Sequence, residues 1–149
     1  MLGSRRYGRA MTAPVGYSGK PLAAKLGVRG GSRVLLVGAP DGFDLAAPAG
    51  AVVRSRPGRG ADRDPYDVVL AFCPDRAALR RRFAAQLPRL ATAGALWVAW
   101  PKRSSGVPTD LDENVVRAHG LEVGLVDVKV AAVDATWSGL KFVRRVSDR

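Results

Sequence analysis

The chain has 149 residues, 47% of them hydrophobic, and a net charge of +11. That length suits one domain, which can bury about 68–70% of its unfolded surface and needs no staples. The single cysteine excludes an internal disulfide and fits a reducing cytoplasm, and no apolar run approaches the roughly 20 residues of a membrane span.

Residues 1–14 read as a disordered basic lead, residues 15–146 as one domain and 147–149 as a tail. Arg5, Arg6 and Arg9 lie in the lead with no acid beside them, which leaves +8 on the remainder. The lead is short for a transit peptide, and no apolar segment follows the arginines to make a secretion signal. Met11 is an alternative start to Met1.

Residues 21–26 suit one or two helical turns, with Pro21 at the first position and Gly27 as the stop. Arg29-Gly30-Gly31-Ser32 is a turn, and Arg33–Val37 a short buried strand. Residues 40–50 hold too much proline and glycine for a full helix. Residues 51–53 suit a second strand, and residues 54–65 a charged loop. Tyr66–Phe72 is a third strand, apolar except at Asp67. Asp75 caps a helix expected to reach about Leu90, with Leu79, Phe83, Leu87 and Leu90 on its apolar stripe and Pro88 ending the regular part early. Arg80, Arg81 and Arg82 are expected mostly on its other faces.

Gly94 is expected to turn the chain into a strand over 95–100. Thr109-Asp110-Leu111-Asp112 fits a helix start with Thr109 as the cap, and that helix stops near Gly120. Residues 125–133 and 140–146 follow as strands joined by a short connection, so they pair as an antiparallel hairpin. The fold class is therefore α/β: a single Rossmann-like, mostly parallel sheet with a C-terminal antiparallel hairpin. In such a sheet the ligand site lies outside the carboxyl ends of the strands. That edge collects Gly38-Ala39-Pro40-Asp41-Gly42, Cys73-Pro74-Asp75 and Pro101-Lys102-Arg103-Ser104-Ser105-Gly106, and it gains Asp134 and Trp137 if the first hairpin strand runs parallel to the others.

The order of a strand ending in a glycine loop, two further strands, a helix, the Gly94-Ala95-Leu96-Trp97-Val98 strand and a final hairpin resembles a Rossmann-type methyltransferase domain in reduced form. Three further stretches resemble a small bacterial family, domain of unknown function 3052. They are Gly16-Tyr17-Ser18-Gly19-Lys20-Pro21-Leu22, Trp100-Pro101-Lys102 with Thr109-Asp110-Leu111, and Val126-Asp127-Val128-Lys129 with Thr136-Trp137-Ser138-Gly139-Leu140-Lys141. This resemblance covers nearly the whole chain from Gly16 to Arg145; it implies the fold and brings no reaction with it. Two departures from methyltransferases bear on S-adenosylmethionine as a cofactor. Pro40 removes an amide donor from the first glycine loop. The second strand leads into Arg54-Ser55-Arg56, where an acid would hold the ribose hydroxyls, and Asp62 and Asp64 lie too far along the loop to replace it.

Lys102, Arg103, Ser104 and Ser105 form the leading anion-binding candidate: two cations and two hydroxyls just before a helix N-terminus. A solvated basic loop is the alternative. Asp41 and Asp134 can accept hydrogen bonds from a ligand, or serve only as turn residues. Gly38 permits close backbone approach, and Trp137 at a strand end can line a pocket or pack in the core. Tyr17 and Ser18 are a candidate lid, and Lys20 a candidate for reaching the same edge. Cys73 reads as a buried thiol, and nothing in the spacing pairs it with His119 as a nucleophile or metal site.

Three functions fit these residues. The preferred one is a Rossmann-like module that binds a small anionic ligand or a protein partner without catalysis. A divergent S-adenosylmethionine-dependent methyltransferase is the second. The third is a basic nucleic-acid-associated protein, whose charge would serve nonspecific binding. No catalytic residue and no metal ligand is assigned.

Overall fold

The structure, a computed structural model, describes residues 20–59 and 63–149. The basic lead, the two candidate starts, Tyr17 with Ser18, and Asp62 lie outside the described residues.

Six strands form one sheet: β1 (Arg33–Val37), β2 (Val52–Arg54), β3 (Tyr66–Phe72), β4 (Leu90–Pro101), β5 (Leu125–Ala132) and β6 (Trp137–Arg144). Their order is β2-β1-β3-β4-β6-β5. The pairs β1–β2, β1–β3 and β3–β4 are parallel, and β6 is antiparallel to both β4 and β5. Hence β5 runs in the same direction as the first four strands, and β6 alone is reversed. The fold is a Rossmann-like α/β sheet with a C-terminal antiparallel hairpin, as the strand patterns predict.

Parallel strands buried on both faces read as continuous apolar runs, and β3 shows this directly: every residue but Asp67 is buried. Two helices cover one face of the sheet, α2 (Arg76–Gln86) and α3 (Glu113–Glu122). They bring Leu79, Phe83 and Val116 onto Leu35, Val69, Val98, Leu140 and Phe142. The other face has thinner cover. There the single-turn α1 (Leu22–Lys25) and Leu45 from the loop after β1 pack on Val34, Leu70, Phe72 and Trp97. The Trp97 indole donates to the Leu26 carbonyl at 3.1 Å, and the Lys25 ammonium donates to the Ala132 carbonyl at 3.1 Å, so both ends of this thin layer are tied to the sheet.

The Asp75 carboxylate accepts from the Ala78 amide at 2.8 Å and starts α2 as expected. The helix then stops at Gln86, and a 3-10 turn carrying Pro88 follows over Leu87–Arg89. Leu90 belongs to β4 rather than to the helix, and Gly94 lies inside that strand at an irregularity in its pairing with β3, not in a turn before it. The freed carbonyls at this junction are not lost: the Arg144 guanidinium donates to those of Leu87, Leu90 and Ala91. A second boundary also differs. Asp112, not Thr109, caps α3, accepting from the Val115 amide at 2.8 Å. Thr109 instead donates its hydroxyl to the Pro74 carbonyl at 2.7 Å, which ties the loop before α3 to the loop before α2.

At Gly120, α3 approaches the sheet too closely for a side chain to fit. A Cβ there would fall 2.5 Å from Cζ of the Phe142 ring, whose side chain is fully buried. Gly120→Ala should therefore destabilise the fold by about 2 kcal/mol, overpacking outweighing the gain in helix propensity. Thermal unfolding checks this, and Gly120→Ala combined with Phe142→Leu should recover part of the loss. A Gly120→Ala protein as stable as the parent would show that α3 can move away from the sheet freely.

Candidate functional site

With β5 parallel to the first four strands, the carboxyl ends of five strands share one edge. The chain leaves β1 to add β2 on one side, then returns past it to place β3 on the other. The gap between the carboxyl ends of β1 and β3 is therefore the switch point where ligands enter such sheets.

Gly38 stands at that point, exposed, with φ +67. The Arg82 side chain from α2 fills the space beside it. A Cβ on Gly38 would fall 2.7 Å from the guanidinium carbon, and Nη1 donates to the carbonyl of Phe72, the last residue of β3. A run of three arginines conceals this placement. Yet Arg82 is three residues after buried Leu79 and one before buried Phe83, so the helical period turns it inward while Arg80 and Arg81 remain exposed. That spacing was the available signal.

Cys73 follows β3 directly and is buried. Burial pushes its thiol up to about 12, outweighing the opposing pull of the nearby Arg82 charge. His119 lies late in α3 with its ring edge-on to Phe83 at 5.0 Å, well along the helix from the carboxyl edge. Burial lowers its pKa from the ordinary 6.5, and the Arg80 charge adds to that lowering against the opposing effect of Glu122.

Asp41 is exposed at the tip of a turn closed by the Phe43 amide on the Pro40 carbonyl at 3.0 Å. Behind it, Phe43 and Trp137 both meet the Phe72 ring edge-on, with centroids 5.0 and 5.1 Å away. Trp137 is thus half-buried wall, not a free platform. The Asp134 carboxylate accepts from the amides of Thr136 and Trp137, each at 2.8 Å, and shapes the hairpin turn. The Ser105 hydroxyl donates to the Lys102 carbonyl at 2.6 Å and accepts from the Val107 amide at 3.2 Å. Ser104 is exposed, and Lys102 is half-buried with its amide on the Thr136 carbonyl at 2.8 Å.

These residues form two groups along the edge. Gly38, Asp41 and Arg82 surround the ends of β1 and β3. Lys102, Ser104, Ser105, Asp134 and Trp137 surround the ends of β4 and the hairpin. β1 and β4 are two strand spacings apart, roughly 10 Å. A cleft of about 440 Å³ opens beside the second group, between Arg103 and residues 106–112. Among the described residues, no group of three or more His, Cys, Asp or Glu could hold a metal ion, and no helix is long and apolar enough to cross a membrane.

No protein-family model matches the chain. No curated protein matches it. Among solved structures it is similar to fibrillarin in a crystal structure of the fibrillarin/Nop5p complex, with a TM-score of 0.50 and 13% identity over 84% of this chain and 83% of that one. At that identity the likeness shows a shared α/β fold alone.

Two outcomes follow from the titrating groups. Cys73 should resist a thiol reagent in the native protein at pH 8 and react fully in denaturant, because its thiolate is suppressed by burial; rapid native labelling would contradict the buried placement. For His119, the lowered folded pKa means the unfolded chain binds the extra proton more readily. The associated stability is present above about pH 6.5 and is lost as pH falls below it. The drop in melting temperature between pH 7.5 and 5.5 should therefore be smaller in His119→Gln than in the parent.

Proposed function

We propose that this chain is a Rossmann-like binding module whose carboxyl edge takes a small anionic ligand. The observation that carries the reading is the Arg82 guanidinium beside Gly38 at the switch point. One N–H bonds the Phe72 carbonyl, and the fork of remaining donors suits a carboxylate or phosphate. Arg82 also crowds the space next to the glycine loop, where an adenosyl cofactor with its cationic sulfonium would gain least. Lys102 and Arg103 extend the positive edge. Asp134 and Ser105 act through the turns they hold rather than as acid–base groups, so the module has no catalytic assignment. A cytoplasmic setting suits the lone cysteine.

The second reading is a divergent S-adenosylmethionine-dependent methyltransferase. The resemblance of the strand order to a Rossmann-type methyltransferase domain favours it. Pro40 and the Val53-Arg54 strand end weigh against it.

Thermal unfolding against inorganic phosphate, nucleotides, small dicarboxylates, S-adenosylmethionine and S-adenosylhomocysteine separates these readings. An anionic ligand at 100 times its dissociation constant stabilises by about 2.7 kcal/mol, a rise of several degrees for a domain of this size. That rise should vanish in Arg82→Ala, compared with the same variant free of ligand. A rise with the two adenosyl compounds and none with the anions would establish the second reading instead. A rise only on short DNA, lost with added salt, would point to the nucleic-acid function.

A further inference from the structure

A second site lies away from the carboxyl edge, on the outer surface of the helical layer. A groove of about 320 Å³ runs between α2 and α3. Buried Leu79 and half-buried Val115 form an apolar floor, and Ala118 leaves room above it. Arg76 and Arg80 line the α2 side. Four residues apart, they lie one above the other, about 6 Å along the helix. α2 contains no acid. Arg76, Arg80 and the neighbouring Arg81 are exposed, and none is in a salt bridge among the described residues. By contrast, Arg117 on α3 is held by Glu113 and Asp127 at 2.6 and 2.8 Å.

We infer that this groove docks an acidic amphipathic helix of a partner protein. Carboxylates one turn apart on such a helix would meet Arg76 and Arg80, while an apolar side chain between them would reach Leu79 and Val115, the helix-in-groove mode of recognition. Two features disfavour a nucleic acid. Glu122 lines the groove on the α3 side and repels a continuous polyanion. The apolar floor has no counterpart on a phosphodiester backbone, and no aromatic face is offered to a base: the lining residues lack Phe, Tyr and Trp, and the His119 ring is against Phe83. The anionic-ligand crevice is at the other group of residues, so the two sites respond to different substitutions.

The test is fluorescence anisotropy of the full chain with a fluorescein-labelled, alanine-rich helical peptide carrying Glu pairs one turn apart and a Leu between them. Saturable binding is expected, weakened at least tenfold by the Arg76→Glu/Arg80→Glu double variant and likewise by Ala118→Arg, which fills the groove without removing positive charge. The double variant should bind a Lys-for-Glu version of the peptide, and its thermal response to phosphate at the Arg82 crevice should be unchanged. The inference is overturned if no saturable binding occurs. It is overturned equally if a charge-matched scrambled peptide binds as well, or if Ala118→Arg binds normally. Tighter binding of a short DNA duplex, lost in the same double variant, would make the surface a nucleic-acid face.

Discussion

The pairing of β3 between β1 and β4 is the constraint on which the rest depends. Six of its seven residues are buried, so both faces of the sheet must be covered or the strand cannot persist. The exception, Asp67, accepts from the Arg33 amide at 2.8 Å and links the amino ends of β3 and β1. With β3 central and the pairings on either side parallel, the strand ends align. One edge gathers carboxyl ends and the other is closed by turns. The candidate ligand residues at the carboxyl edge follow from that alignment.

The two faces meet the demand for cover differently. On one, α2 and α3 bury a continuous apolar stripe, and Gly120 lets α3 approach Phe142 closely. On the other, a single-turn helix and the loop after β1 do the same work with few residues, secured by the Trp97 indole and the Lys25 ammonium on backbone carbonyls. This thin layer leaves the aromatic side chains Phe43, Phe72 and Trp137 to seal the carboxyl edge from behind. The arginines divide in function accordingly. Arg144 satisfies backbone carbonyls at a helix-to-strand junction, Arg117 joins α3 to β5, and Arg82 lies at the switch point. Exposed arginines on α2 remain unpaired among the described residues, and unpaired positive charge on a surface is available for contact.

Much of the architecture was legible because burial writes itself into residue order. Tyr66–Phe72 and Arg33–Val37 carry runs with one interpretation in a domain of this size, and Asp75 announces the start of α2. Boundaries were harder where two signals competed. Thr109 looks like a cap, but its hydroxyl has a better partner in the Pro74 carbonyl, a contact between loops 35 residues apart. Gly94 looks like a turn, but it sits at an irregularity of a strand that begins at Leu90. In both places a long-range contact overrode a local preference.

The site divided in the same way. The residue types along the carboxyl edge and the presence of that edge followed from strand order alone, because apolar runs separated by helices and loops admit few arrangements. What the side chains do was decided only in three dimensions. Asp134 and Ser105 have the chemistry of ligands and spend it on backbone amides and carbonyls two or three residues away. Arg82, one of three consecutive arginines, reaches the end of β3 because its place on the helix points it there. By itself the sequence determined which segments must be buried and hence the sheet; the tertiary structure alone decided which polar groups are left over for a ligand, since that depends on partners distant in the chain.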